Sequence, residues 1–243
     1  MYYELGIVFL AGLITAVATG LGAIPFAFMR TVSGRTLGLA NGVASGLMLG
    51  ASFGLFSEGS VYGLWQTVAG AAVGVAFVFF GERFLQDKEV EFGDIRGAGA
   101  RRILLIIAIM TLHSFSEGVA VGVSFGGGEK LAALITIAIA VHNIPEGLAI
   151  SAVMRPRGSS VWACAGWSVF SSLPQPLMAV PAFAFVEAFR AVLPYGLGFA
   201  AGAMVYMVFL ELLPEAFEEA NPSRVGLLVS LTLGAMILFQ KYL

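Results

Sequence analysis

Two short segments of the chain repeat the same arrangement of histidine, glutamate and glycine. One begins at His113 and ends at Gly118, the other begins at His142 and ends at Gly147, and both read His-x-x-x-Glu-Gly. In an α-helix, residues four positions apart lie on the same face, so each histidine is expected beside the glutamate that follows it. The chain has 2 histidines in all, and both belong to this repeat. The repeat predicts two helices that each present one imidazole and one carboxylate.

Side chains of these types suit a divalent transition metal. Imidazole nitrogens and carboxylate oxygens together make a ligand set that zinc and its first-row neighbours accept. A dication also offsets the cost of burying two carboxylates in apolar surroundings. We therefore expect one metal position formed by His113, Glu117, His142 and Glu146.

Four further polar residues lie next to this set or near it in the predicted bundle. Asn143 and Ser114 directly follow the two histidines, and they are candidates for a second metal position lined by oxygen. Gln175 stands between two prolines and is predicted to line the same cavity. Glu211 is enclosed by apolar neighbours in the sequence and is a candidate carboxylate on the exit path.

The same residues allow two other interpretations. A proton or substrate carrier would use them as a relay without bound metal, because ionisable residues inside membranes mark proton paths as well as ion sites. An intramembrane metal-dependent hydrolase needs three ligands, an open water position and a general base, a role open to Glu117 or Glu146. The His-Glu-x-x-His helix of many zinc hydrolases is absent from the sequence, so we expect no enzyme activity.

The composition of the chain is that of a membrane protein. Hydrophobic residues make up 58% of its 243 residues and charged residues 12%, which is far from the average of soluble domains. A net charge of −2 and the absence of a basic tract exclude a nucleic-acid-binding role. The single cysteine, Cys164, excludes an internal disulfide and a thiolate-rich metal cage.

Eight apolar stretches are long enough to cross a bilayer of about 30 Å as helices of about 20 residues. Their predicted limits are 5–28, 37–57, 61–81, 102–125, 131–153, 160–186, 192–213 and 224–242. The sixth stretch is the least regular because its prolines each remove a backbone donor. His113 and His142 lie about a dozen residues from the ends of their stretches, near the middle of the membrane. We predict an all-α polytopic membrane protein, with eight transmembrane helices in a single domain, 1–243.

The lysines and arginines predict the orientation of the bundle, because loops rich in them stay in the cytoplasm. Of the 13 basic residues, ten fall in alternate loops on one side, and Lys130, Arg190 and Lys241 fall on the other. With eight helices, both termini are expected outside. The longest polar segment, at about 82–101, is predicted to be a cytoplasmic linker.

The whole chain resembles the ZIP family of metal transporters, and especially its short prokaryotic, GufA-like members. Segment 142–147, which reads His-Asn-Ile-Pro-Glu-Gly, is similar to the family's fifth-helix signature at every position. His113, Glu117 and Gly118 are similar to the fourth-helix motif, and segment 211–215 resembles the seventh-helix sequence.

The resemblance implies uptake of zinc, and often of iron, manganese or cadmium, into the cytoplasm through a site between the fourth and fifth helices. The metal is then the transported substrate, and no cofactor is expected. The resemblance also implies a homodimer in the lipid bilayer of the cell membrane, a prokaryotic inner membrane for the short members, whose helices rearrange to alternate access.

Many family members bind a second metal through an asparagine and a glutamate, and the resemblance places Ser114 and Gln175 at those two positions. Both differences remove ligand strength or charge. They weaken the second metal position, for which Asn143, Glu117 and Glu146 remain.

Overall fold

The computed structural model describes residues 2–86 and 98–242, and the regular secondary structure in these ranges is helical. The nine α-helices of the described ranges are α1 (Tyr2–Leu21), α2 (Gly34–Gln86), α3 (Ala98–Gly126), α4 (Glu129–Met154), α5 (Val161–Ser171), α6 (Pro174–Ala188), α7 (Leu193–Met207), α8 (Leu213–Glu219) and α9 (Pro222–Tyr242). Short 3₁₀ helices at Ile24–Ala27, Arg155–Arg157 and Arg190–Val192 and a π-helical turn at Val208–Leu212 connect some of them. The prediction of an all-α chain is confirmed for this part of the protein.

Seven helical segments in the described part of the chain are long and apolar enough to cross a membrane. They are Tyr3–Ala27, Gly34–Phe84, Ile107–Gly126, Glu129–Arg157, Val161–Ala188, Arg190–Glu219 and Pro222–Tyr242. Six of the eight predicted stretches each correspond to one segment, and the second and third both fall within Gly34–Phe84.

The long helix α2 is interrupted at Gly63, where φ is 171° and ψ is 106°. We refer to residues 34–62 as α2a and to residues 64–86 as α2b. Gly34–Phe84 has 51 residues, and at about 1.5 Å per residue it is more than twice as long as the ~30 Å hydrocarbon layer is thick. The interruption therefore divides a helix that is too long for a single crossing.

A face of small residues on α2a packs against α9. Gly42, Gly46 and Gly50 recur every four residues and so share one side of the helix. A Cβ atom at any of them would contact α9, and Gln240 of α9 donates a hydrogen bond to the carbonyl of Gly50 over 2.6 Å. Such close packing of backbones is typical of helix pairs in membranes, where hydrophobic burial gives little driving force.

The helices form two packing groups. In the first group, α2 packs mainly against α7 and α9, and glycines of both α2b and α7 lie against the facing backbone. In the second, α3 packs mainly against α6, while α1 packs against α4 and α6. The groups meet where α2 contacts α4 and where α3 contacts α7. The two His-x-x-x-Glu-Gly segments lie in α3 and α4, which pack against each other.

The predicted sixth stretch, 160–186, is two helices, α5 and α6. Leu173 lies in the break between them, and Pro174 occupies the first position of α6, where a missing N–H group costs nothing. The prediction of irregular structure here is confirmed. The predicted linker at 82–101 lies largely outside the described residues, and its described ends, 82–86 and 98–101, are helical.

Large apolar side chains cover the outside of the bundle. Trp65, Phe80, Leu177 and Phe209 are each more than half exposed. Apolar surface on this scale is unusual for a soluble monomer, and it matches the hydrocarbon environment of helices that satisfy their own backbone hydrogen bonds. The exterior therefore agrees with the membrane prediction drawn from composition.

Candidate metal centre

Three of the four predicted ligands converge between α3 and α4. Glu117, His142 and Glu146 each offer one ligand atom, and these atoms all lie within 4.8 Å of one another. Glu117 and His142 are 0% exposed and Glu146 is 4% exposed. Since zinc binds nitrogen and oxygen ligands at about 2.0 to 2.2 Å, donor atoms this close can reach one ion with small side-chain movements. We call these three residues the buried cluster.

The cluster is held together by one direct hydrogen bond and contains atoms without partners. His142 Nε2 donates to Glu117 Oε1 over 2.8 Å, since a carboxylate only accepts. Among the described residues, His142 Nδ1 and Glu146 Oε1 are buried and have no hydrogen-bond partner. Buried polar atoms are rarely left unpaired. The unpaired oxygen of Glu146 is suited to receive a cation, and the unpaired Nδ1 can take the imidazole proton, which leaves Nε2 to bind the same ion as Glu117.

The remaining predicted ligand, His113, lies with Glu211 and not within the buried cluster. His113 Nε2 lies 3.3 Å from Glu211 Oε2, and the two groups are 2% and 19% exposed. His113 Nδ1 faces the carbonyl of Ile109 at 3.2 Å, which requires a proton on Nδ1. In the neutral imidazole the lone pair of Nε2 then points towards Glu211, an arrangement common for histidines that bind metals.

Glu211 lies in the π-helical turn Val208–Leu212 between α7 and α8. Pro214, one turn later, has no N–H group for the carbonyl of Leu210, which loosens the helix at this point. Single π-helical turns frequently occur at functional sites, because the additional residue changes the direction of nearby side chains. The turn therefore accounts for how the carboxylate of Glu211 faces a histidine of α3.

The other predicted site residues belong to one chain of hydrogen bonds that ends on Glu117. Asn143 Nδ2 donates to Thr15 O over 2.9 Å and to Gln175 Oε1 over 3.1 Å. Gln175 Nε2 donates to Glu117 Oε2 over 2.7 Å and lies 3.5 Å from Ser114 Oγ. All of these side chains are buried. The structure thus brings Asn143, Ser114 and Gln175 together beside the cluster.

Close helix packing positions this chain of hydrogen bonds. A Cβ atom at Gly118 would lie 2.6 Å from the carbonyl oxygen of Gln175, and one at Gly147 would contact the carbonyl of Thr19. Only glycine permits these approaches of α6 to α3 and of α1 to α4. Thr19 Oγ1 also lies 2.8 Å from Ser172 Oγ, which ties α1 to the break before α6.

The contribution of α1 was not predicted from the sequence. Thr15 supplies the carbonyl at the end of the hydrogen-bond chain, and Thr19 contacts the break between α5 and α6. The two threonines are four residues apart in an otherwise apolar helix, which is a signal of a shared polar face. Small polar residues are common at helix contacts in membranes, so this signal is weaker than that of a buried histidine.

Comparisons with known proteins agree with the geometry. Residues 67–239 match the family model described as ZIP Zinc transporter. A protein of Arabidopsis thaliana named "Putative zinc transporter" is 48% identical over 225 residues, which cover 91% of this chain and 36% of that protein. Zinc transporter ZIP11 of Homo sapiens is 41% identical over 133 residues, which cover 51% of this chain and 39% of ZIP11. The chain thus spans little more than a third of the length of these two relatives.

A bacterial relative matches over nearly its full length. Zinc transporter GufA of Myxococcus xanthus is 33% identical over 223 residues, which cover 85% of this chain and 87% of GufA. The family model covers well over half of the chain, and its range includes the buried cluster, His113 and Glu211. The chain belongs to the ZIP zinc transporter family.

Proposed function

We propose that this chain carries divalent transition metal ions, zinc first among them, across a membrane through the buried cluster. The observation that carries the proposal is the convergence of one imidazole and two carboxylates, almost fully buried, inside a bundle of apolar helices. Ionisable residues at the centre of a membrane helix cost about 2.5 to 3.5 kcal/mol each on insertion scales. Their clustering is therefore typical of an ion path. The names of the relatives as zinc transporters support zinc as the substrate.

The proposed topology is a single domain that crosses the membrane eight times, with both termini outside. The interruption at Gly63 supports one crossing each for α2a and α2b. The excess of lysine and arginine in alternate loops supports the cytoplasmic location of those loops, including the linker at 82–101. We further propose that the chain takes the ion up into the cytoplasm across a prokaryotic inner membrane. In this proposal it forms a homodimer, and its helices rearrange to alternate access. Iron, manganese and cadmium are further candidate substrates, since they accept similar ligands.

The proposed route passes two positions in sequence. The hydrated ion enters from outside and exchanges water for the ligands of the buried cluster, with Asn143 as a further oxygen ligand. It then moves to His113 and Glu211 and leaves towards the cytoplasm. The 3.3 Å distance between His113 Nε2 and Glu211 Oε2, and the greater exposure of Glu211, support this order. A mixed set of imidazole and carboxylate ligands without thiolates also permits release.

Uptake of zinc into proteoliposomes tests the proposed function. Replacing His142 with alanine removes the only nitrogen ligand of the buried cluster, and we expect zinc uptake that depends on concentration to be lost. Gln66→Ala, at an exposed position, is the control and should transport normally. Normal uptake by correctly folded His142→Ala would refute the role assigned to the cluster.

One alternative is supported by a specific contact. The 2.8 Å hydrogen bond between His142 and Glu117 resembles a step in a proton relay, so a proton or substrate carrier without metal is the second candidate. Isothermal titration calorimetry with Zn²⁺ distinguishes metal transport from a relay without metal, because a site that only relays protons is not expected to bind zinc tightly. The relatives carry the names of transporters, which agrees with the expectation that the chain is not an enzyme.

A further inference from the structure

The chain of hydrogen bonds beside the cluster has a direction that is set by a backbone carbonyl. Thr15 O only accepts hydrogen bonds, so the side-chain atom of Asn143 that contacts it must be Nδ2. The same Nδ2 also donates to Gln175, so the contacting atom of Gln175 must be Oε1. The amide group of Gln175 therefore presents Nε2 to Glu117. The orientation of both amides follows from the backbone and does not depend on how the amide atoms are assigned.

The two oxygens of Glu117 consequently have different environments. Oε1 faces His142 Nε2 at 2.8 Å, on the side of the buried cluster. Oε2 accepts from Gln175 Nε2 at 2.7 Å, and this amide nitrogen also lies 3.5 Å from Ser114 Oγ. The imidazole can carry its proton on Nδ1, which has no hydrogen-bond partner among the described residues, and Nε2 and Oε1 are then free to bind a cation. The amide N–H of Gln175 has no such alternative and keeps its lone-pair direction on Oε2 occupied. The side of Glu117 that faces α6 is thus filled by a donor that belongs to the protein.

Charge leads to the same result. Glu117 and Glu146 together balance one dication, and Gln175 and Asn143 are neutral. A second dication in this buried volume would need further negative charge, because an unbalanced buried charge is costly. Glu211, the next carboxylate, lies outside the buried cluster, 3.3 Å from His113 Nε2. Both the hydrogen bonds and the charges therefore favour a single ion.

We propose that Gln175 is a positioning residue that presents Glu117 to the substrate through Oε1 alone and limits the buried cluster to one divalent cation per chain. This inference rests on the proposed function and specifies its stoichiometry. The same orientation leaves Asn143 Oδ1 buried and without a hydrogen-bond partner among the described residues, as a neutral oxygen near a singly occupied site.

The number of ions bound per chain tests this proposal directly. The full chain is purified in detergent and titrated with Zn²⁺ by calorimetry, and the bound metal is counted by inductively coupled plasma mass spectrometry. The ions are counted in a Glu211→Gln background, because Glu211 belongs to the second position of the proposed route. There we expect one ion with Gln175 present and two with Gln175→Glu, which replaces the donor beside Glu117 Oε2 with a third carboxylate. Gln66→Glu makes the same change at an exposed position and should keep one ion.

A second variant separates positioning from folding. Gln175→Met retains an unbranched side chain of similar length but cannot donate to Glu117. We expect it to bind one ion with an affinity about 10- to 100-fold weaker, the usual effect of removing a partner that orients a ligand. X-ray absorption at the zinc edge of the wild-type protein should show nitrogen and oxygen neighbours without metal–metal scattering.

The outcomes distinguish the two proposals. Two ions in Glu211→Gln with Gln175 present, or a metal–metal distance in the wild-type absorption spectrum, would overturn the role given to Gln175. One ion in folded Gln175→Glu with unchanged affinity would overturn it as well. If Gln175→Glu does not fold, the ion count of Glu211→Gln and the wild-type spectrum decide. A wild type that binds no zinc contradicts the proposed function itself.

Discussion

Glu117 is the residue that links the buried cluster to the rest of the site, because its two oxygens contact different helices. His142 of α4 donates to one oxygen and Gln175 of α6 donates to the other. Glu146 completes the cluster from α4, one turn after His142. His113 of α3 contacts Glu211 instead. The site therefore has a deep position at the cluster and a more accessible position at Glu211.

Replacing Glu211 with glutamine tests whether these two positions act in sequence. The substitution removes the negative charge that faces His113 but leaves the buried cluster intact. We expect zinc affinity measured by calorimetry to stay as in the wild type, while the maximal rate of uptake in proteoliposomes falls at least tenfold, because the ion loses its charged acceptor on the exit side. Glu218→Gln, at an exposed position of the neighbouring α8, should change neither quantity. Loss of zinc binding in Glu211→Gln would place Glu211 in the cluster itself.

The sequence predicts which residue types form the site, but it does not predict which of these side chains contact each other. The repeated His-x-x-x-Glu-Gly pattern predicted which side chains face inward, and the structure buries all four of them. The pattern treats His113 and His142 as equivalent, whereas one contacts Glu211 and the other contacts Glu117. That difference depends on the crossing of α3 with α4 and on the π-helical turn between α7 and α8. Neither property follows from hydrophobic periodicity.

At the level of helices, glycines decide how close the elements of the site lie. Gly118 permits the first turn of α6 to contact α3, and Gly147 permits α1 to contact α4. These contacts bring the amide of Gln175 and the carbonyl of Thr15 within hydrogen-bond distance of their partners. The sequence shows a glycine at the end of each repeated segment, but it does not show which helix packs against that glycine. Which helix packs against each glycine depends on how the helices are arranged in the bundle, and that arrangement is a property of the whole fold.

A methyl group at Gly118 tests this dependence. Gly118→Ala places a Cβ atom 2.6 Å from the carbonyl oxygen of Gln175, so α6 must move away from α3. We expect a loss of stability of about 1 to 3 kcal/mol, the usual cost of overpacking, together with weaker zinc binding.

The control for Gly118→Ala is Gly226→Ala in α9, where a Cβ atom would have no described neighbour within 4 Å. Alanine there should be neutral or stabilising by up to about 1 kcal/mol, since it favours the helix. Thermal unfolding in detergent and zinc calorimetry measure both variants. Equal stability and equal zinc affinity of the two would show that the α3–α6 contact does not position the site.

At the scale of the whole molecule, family membership and the seven long apolar helical segments found in the described ranges show a multi-pass protein of the cell membrane. Composition alone predicted this class, because a chain with 58% hydrophobic and 12% charged residues cannot cover its surface with polar groups.

The break within the long second helix was also predicted, as a boundary between two stretches near residue 60. The structure places the interruption at Gly63. What composition did not predict is the division into two packing groups, which arises from long-range contacts such as those of α2a with α9 and of α1 with α4.

The order in which an ion from outside meets the two positions depends on which end of the bundle faces the cytoplasm, and cysteine labelling measures that orientation. The chain has one natural cysteine, Cys164, which is buried and can be replaced by alanine to give a background without exposed thiols. Lys130 and Arg157 have exposed side chains at opposite ends of α4 and its 3₁₀ extension. We expect a charged maleimide, which cannot cross a bilayer, to label Lys130→Cys in intact cells and Arg157→Cys only after permeabilisation. The physical reason is the excess of lysine and arginine at the Arg157 end, which holds that end in the cytoplasm. The opposite labelling pattern would place Glu211 on the outer side of the cluster and would contradict the proposed order of the two positions.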